Sequence, residues 1–176
     1  MKRILIIGCA GSGKSTLSRK LGNLLHLPVI HLDKYYWKPN WEATPNEEWD
    51  RTIEQFVQRD EWIMDGNYSR TMDVRIKRAD LIIYLDMPTY LCLYRILKRR
   101  IMYNKQTRPD LNEHCPEKLD WAFIKWVWSY RKKSRMKTIR KLEQVQEDKQ
   151  VVLLQHRKQV QAYINQLAAS SQPITV

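Results

Sequence analysis

No stretch of the chain approaches the roughly 18 uninterrupted apolar residues that span a bilayer, so no membrane crossing is expected. Cysteine is nearly absent: Cys9, Cys92 and Cys115 are odd in number and widely scattered. That argues against a disulfide framework and for a reducing, cytoplasmic setting. A secretory pattern is also missing, because Lys2 and Arg3 lead into only four apolar residues before Gly8. There is no internal repeat and no low-complexity tract. Acidic residues are few: 19 Asp+Glu stand against 31 Lys+Arg, so the 176 residues carry a formal charge of +12.

That excess is regional. Residues 95–141 hold 15 Lys/Arg and 4 Asp/Glu, a net of +11. Such a basic surface suits a polyphosphate site or a nucleic-acid footprint, and charge alone does not choose between them. The apolar share, 43%, is enough for the core of one domain over residues 1–176.

Short apolar runs alternate with helical periods. Residues 3–8 (RILIIG), 28–33 (PVIHLD), 61–66 (EWIMDG), 79–86 (ADLIIYLD) and 150–155 (QVVLLQ) are expected as strands. Leu17, Leu21, Leu24 and Leu25 predict a helix over 14–26, and Val160, Tyr163, Ile164 and Leu167 predict a final one. Residues 34–60 form an insert in which Thr44-Pro45-Asn46-Glu47 has the form of a capping box. Pro88 opens a helix to about 104, followed by a loop at 105–118. A Trp-rich basic helix over 119–147 is expected to bend or break near Ser134, with Trp121, Trp126 and Trp128 in its packing. Strands that are nearly all apolar and alternate with helices imply an α/β fold, a parallel sheet covered on both faces. Such sheets bind ligands at the C-terminal ends of their strands, which gathers Gly8, Asp33, Asp65 and Asp86 on one rim.

The chemistry starts at "GCAGSGKST", residues 8–16. Gly8, Gly11 and Gly13 let backbone N–H groups turn toward phosphate oxygens, with Ser12 as a spacer whose backbone matters. The helix that follows adds its positive dipole end. Lys14 would reach the β- and γ-phosphates, Ser15 would hold Mg²⁺, and Thr16 would donate to the α-phosphate. Asp65 is the candidate to position the metal through water. Asp33 could take a proton from a substrate hydroxyl or bind the second substrate. Asp86 suits a turn or helix-cap role. Arg95 and Arg99 share a helix face, as do Arg131 and Arg135, with Arg108 in the loop between. Guanidinium groups there would stabilise the charge of phosphoryl transfer, and the segment has the form of a closing lid. Tyr36, Trp37 and Trp41 either stack on a base or sugar or form core under the insert. Glu113, His114 and Cys115 lack the further ligands that a zinc site needs.

Together, "GCAGSGKST", "DGNY", "YLDMP…YRILKRR" and the basic lid resemble the nucleoside-monophosphate-kinase group of P-loop kinases, over essentially the whole chain. More specifically, "PVIHLDKYYWKPNW", "EWIMDGNYS", "LCLYRILKRR" and "TRPDLNEHCPEKLDWAFIKWVW" resemble the (DNA) topology modulation protein, or FlaR-like, family. The resemblance implies a three-layer P-loop NTPase fold with strand order 2-3-1-4-5. It also implies ATP and Mg²⁺ as cofactors, with Asp65 at the aspartate of the adenylate-kinase Asp-Gly-Phe-Pro-Arg segment. "LDKYYW" is similar to the Asp-x-Phe-Tyr segment of uridine-kinase-like enzymes, where the aspartate serves as base.

The chain departs from adenylate kinase in two places. Asn67-Tyr68-Ser69 replaces Phe-Pro-Arg, so the arginine that grips an acceptor phosphate is displaced, with Arg70, Arg75 or Arg78 as substitutes. The insert is short and Trp-rich. The expectation is an ATP-dependent phosphotransferase whose acceptor-binding residues include Asp33, Tyr36, Trp37, Asn67 and Arg75. The alternatives are a nucleic-acid-associated ATP-binding protein using segment 95–141, or a regulatory protein with weak ATPase activity.

Overall fold

The computed structural model describes residues 1–103, 110–112, 114–115 and 120–171. Most of the expected lid loop, including Arg108, lies outside the described residues. In chain order the elements are β1 (Arg3–Gly8), α1 (Lys14–Leu25), β2 (Val29–His31) and α2 (Leu32–Tyr36). A small hairpin follows, β3 (Trp37–Lys38) and β4 (Glu42–Ala43), then α3 (Asn46–Val57), β5 (Trp62–Asp65) and α4 (Met72–Arg78). The chain continues through β6 (Leu81–Leu85), α5 (Thr89–Met102), α6 (Trp121–Lys133), α7 (Arg135–Glu143), β7 (Gln150–Leu154) and α8 (Arg157–Ser171).

The five long-range strands form one parallel sheet in the order β2-β5-β1-β6-β7. Counted without the hairpin, this is the expected 2-3-1-4-5. β1 is central, with Ile4 opposite Ile63 on one side and Leu81 on the other. Its alternation builds two cores. Leu5 and Ile7 face α3, α4 and α7 through Trp49, Ile53, Ile76 and Leu142. Ile4 and Ile6 face α1, α5, α6 and α8 through Leu17, Leu21, Ile96 and Val127. With both faces covered, no strand residue of β1 past Arg3 needs to be polar, which explains the unbroken apolar run. The expected break near Ser134 is present, as the joint between α6 and α7.

Three local expectations fail for physical reasons. Strand β2 stops at His31, and Asp33 lies in the first turn of α2. Buried Leu32 turns the chain into the core there. The capping box does not form: Pro45 occupies the cap position of α3 and no side chain caps it. The Thr44 hydroxyl instead donates to the carbonyls of Tyr35 and Tyr36 at 3.1 and 2.7 Å, which closes the β3–β4 hairpin. Asp86 caps nothing; it is the anchor for Arg135, whose Nε and Nη2 reach it at 2.8–2.9 Å.

Candidate functional site

The loop between β1 and α1 is shaped by what presses on it. Gly11 has φ of 76°, and a Cβ there would lie 2.4 Å from the Cys92 carbonyl oxygen of α5. Neither the dihedral nor the space tolerates a side chain. One turn further along α5, Arg95 donates Nη1 to the carbonyls of Ser12 and Gly11 at 2.9 and 3.3 Å. The helix therefore braces the loop with both backbone and side chain. Gly13, also left-handed at φ of 104°, starts α1. Lys14 lies along its own loop and donates Nζ to the Cys9 carbonyl at 3.1 Å. The Ser12 hydroxyl is buried and has no partner among the described residues. A cradle of this form, at a helix N-terminus and lined by a lysine, fits a chain of phosphates.

A cavity of about 690 Å³ opens from the loop. Gly11, Gly13, Lys14, Ser15 and Thr16 form one wall, and Asp33 and Asn67 belong to another. Arg95 and Arg99 of α5 line it too. Trp37 and Trp41 of the insert both face this cavity, so they are wall rather than core. Gly8 lies at the end of β1 beneath the loop, where a Cβ would meet the Leu85 carbonyl at 2.6 Å.

The remaining expected residues are placed differently. Tyr36 packs against Trp49 and Tyr68 in the core and does not line the cavity. Arg75 is fully buried and donates to the carbonyls of Thr71, Gly66 and Tyr68. Burial pushes its guanidinium down to about 10, still charged at neutral pH. As an acceptor-binding residue it is therefore corrected: it is an internal strut for the Gly66–Tyr68 turn. Arg131 is exposed and does not line the cavity, and Arg135, one turn on, is engaged by Asp86. Trp121 and Trp128, expected in packing, are 78% and 68% exposed. Val127, Tyr130 and half-buried Phe123 form the packing face of α6 instead, while Trp126 lines the cavity.

Asp65 ends β5, buried, with Oδ2 2.7 Å from Nδ1 of His31. Burial acts against the imidazolium, but the hydrogen bond to Asp65 and its charge, with Asp110 behind, raise His31 above its usual value. The Ser15 hydroxyl lies on the cavity wall, whereas Asp65 is not among the residues that line the cavity; hydroxyl and carboxylate oxygens are the donors that a hard divalent cation takes.

Two residues that carried no role in the sequence reading, His31 and Tyr68, hold the two aspartates. Tyr68 donates its hydroxyl to Asp33 Oδ1 at 2.6 Å. Burial raises the Tyr68 pKa, and the adjacent carboxylate raises it further, so it stays a proton donor. "DGNY" marked the turn but gave no sign of its partner.

A phosphate loop of this geometry, at the central strand of a parallel sheet in this order, defines a P-loop protein with a kinase-like fold. The chain belongs to the AAA-domain family, whose model, described as "AAA domain", matches residues 4–120. Solved structures agree on the fold. Shikimate kinase from Acinetobacter baumannii in complex with shikimate aligns with a TM-score of 0.55 and 14% identity, covering 98% of this chain and 96% of that one. Shikimate kinase from Aquifex aeolicus vf5 gives 0.55 and 16%, covering 96% and 94%. A gluconokinase from Sinorhizobium meliloti 1021 gives 0.52 and 12%, covering 96% and 90%. No curated protein matches the chain. No helix among the described residues is long and apolar enough to cross a membrane.

Proposed function

We infer that this protein is a Mg²⁺- and ATP-dependent phosphotransferase acting on a hydroxyl of a small molecule. One observation carries the reading: the phosphate loop and Asp33 line the same cavity. Lys14 and the loop amides would hold the triphosphate, and Ser15 and Asp65 would hold the metal, which neutralises phosphate charge when bound. Asp33, oriented by Tyr68 through Oδ1, keeps Oδ2 to receive a proton. The acceptor oxygen bonds to the γ-phosphorus, the bond from that phosphorus to the β–γ bridging oxygen breaks, and the hydroxyl proton passes to Asp33. Arg99, on the wall one turn beyond Arg95, supplies charge to the transferring group. Positioning and electrostatics account for such a reaction.

Acceptor-dependent ADP release across nucleosides, nucleotides, sugars and small acids tests this. An Asp33→Asn protein should bind ATP and lose transfer; full activity in that variant removes Asp33 as base. ATP hydrolysis that no acceptor stimulates favours the regulatory reading instead.

A surface feature supports a second reading, in line with the resemblance to topology modulation proteins. Trp121, Lys125, Trp128 and Lys132 are exposed on one face of α6, aromatic and basic in turn. Part of the charge excess is already engaged within the chain, since Arg95, Arg135 and Lys141 bond to the loop, Asp86 and Asp73. A nucleic-acid role predicts affinity that falls steeply with salt, and no shift of single- or double-stranded DNA at low salt ends it.

A further inference from the structure

Helix α5 presents an apolar face to solvent. The outer face of a surface helix is ordinarily polar, as on α8, where Lys158, Gln161, Asn165 and Gln166 are exposed. The exposed positions of α5 are Tyr90, Tyr94, Leu97, Lys98, Ile101 and Met102, so Lys98 is the one charge beside five large hydrophobic side chains. Their exposure runs from 49% at Leu97 to 78% at Ile101. At about 200 Å² for each such side chain fully exposed, the five show roughly 650 Å². The largest apolar patch of a typical monomer is about 300–600 Å². Phosphotransfer leaves this face unused, because Arg95 and Arg99 line the cavity from the other side of the helix.

The stripe has a symmetry of its own. Tyr90, Tyr94, Leu97 and Ile101 are four, three and four positions apart, which sets them on an arc of roughly 60° at 3.6 residues per turn. That is the spacing of a helix–helix seam. Read backwards, it is unchanged. A second α5 laid antiparallel on the first therefore meets it in register, Tyr90 against Ile101 and Tyr94 against Leu97, an aromatic ring on an aliphatic side chain at each layer. A surface that is its own complement in this way fits two-fold pairing.

Area and charge favour a second copy over lipid or an acidic partner. A stable interface covers about 800 Å² per partner, and the stripe supplies most of that. A helix that lies on a membrane arrays Lys and Arg around its apolar face. On α5, Arg95 is turned onto the carbonyls of the phosphate loop and Arg99 into the cavity. Lys98 alone gives an acidic partner little to select.

We propose that α5 is a dimer interface, in which two copies of this chain pair antiparallel through Tyr90, Tyr94, Leu97 and Ile101, with their phosphate loops facing outward. The pairing does not depend on the phosphotransfer reading. Two chains of formal charge +12 repel, so salt, which screens that repulsion, tightens the dimer. Binding to an anionic vesicle or to nucleic acid weakens with salt instead.

The test is sedimentation equilibrium of the full chain from about 1 to 100 μM, in about 0.15 and 0.5 M NaCl. The mass should reach twice that of the chain, with tighter association at the higher salt. Leu97→Glu sets like charges close to the two-fold axis and should weaken the dimer at least about 10-fold, with circular dichroism and ATP-analogue binding unchanged. If that variant does not fold, Ile101→Lys, at the most exposed position of the stripe, serves. The register is read by a short bismaleimide, since the native cysteines that would compete for it are buried. It should join Tyr90→Cys chains to Ile101→Cys chains in a mixture and leave either variant alone largely unlinked, because identical positions lie about 16 Å apart along the seam. A monomer at every concentration and both salts overturns the proposal, whether or not it binds anionic vesicles. So does a dimer that salt loosens, one that Leu97→Glu and Ile101→Lys both leave intact, or one that links Tyr90→Cys chains to each other.

Discussion

The hydroxyl of Tyr68 sits 2.6 Å from Asp33 Oδ1, joining the turn after β5 to the helix after β2. A carboxylate held by one oxygen presents the other in a fixed direction. Tyr68→Phe removes that hold without emptying the site. A hydrogen bond to a charged group contributes about 1.5–3 kcal/mol. Transfer should therefore slow by about 10- to 100-fold while ATP affinity stays unchanged. Steady-state kinetics beside an ATP-binding measurement check this, and equal loss in both would place the effect on folding.

Arg95 holds the loop from outside, through the carbonyls of Gly11 and Ser12. Arg95→Met should weaken ATP binding by about 10-fold, the equivalent of one such hydrogen bond. Thermal stability should move little, because Arg95 is only part-buried here. Unchanged ATP affinity would show that the loop keeps its shape alone.

Gly11→Ala is expected to be far harsher. The new methyl would meet a backbone carbonyl, which cannot rotate away, and φ would stay unfavourable. The strain of about 1–3 kcal/mol falls on the loop itself, so nucleotide binding should be lost before the fold is. Calorimetry with ATP and circular dichroism on one sample separate the two.

Arg75 should matter to stability and not to specificity. Arg75→Ala takes the guanidinium donors from the Gly66 and Tyr68 carbonyls, while the Thr71 carbonyl keeps the backbone N–H of residue 75, and it opens a void in the core, at a cost of about 3–5 kcal/mol. Urea denaturation measures it. A large change in acceptor preference at wild-type stability would contradict this placement.

His31 gives a pH signature. Its folded-state pKa is raised, so the His31–Asp65 pair stabilises fully below about 6.5 and its contribution fades as pH rises through the folded value. An imidazole NMR titration should give a midpoint above about 6.5. Stability should fall more between pH 6 and 8 in the wild type than in His31→Gln.

The local patterns were the legible part. Gly8 to Thr16 sit in one contiguous motif, and the apolar runs of β1, β5 and β6 are buried on both faces, so their signal needs no partner. Sheet order then followed from family likeness. What could not be read were pairings between distant positions. His31 lies 34 residues from Asp65, and Tyr68 lies 35 from Asp33. Arg75 resembled an anion binder because nothing in the sequence shows that its partners are carbonyls. The apolar character of Trp121 and Trp128 points to packing, yet both are exposed and Val127 and Tyr130 form the buried face. Thr44 had the right neighbours for a cap, but the hairpin competed for its hydroxyl.

Helix α5 touches the phosphate loop at Cys92 and Arg95, and Arg99 and Tyr103 at its far end still line the cavity. Its 14 residues make one rod of about 21 Å. Loop and far wall are thus settings of a single lever. A tilt of a few degrees at one end reaches the other without any relay of side chains, so the curvature of the phosphate cradle and the width of the cavity mouth cannot be adjusted independently.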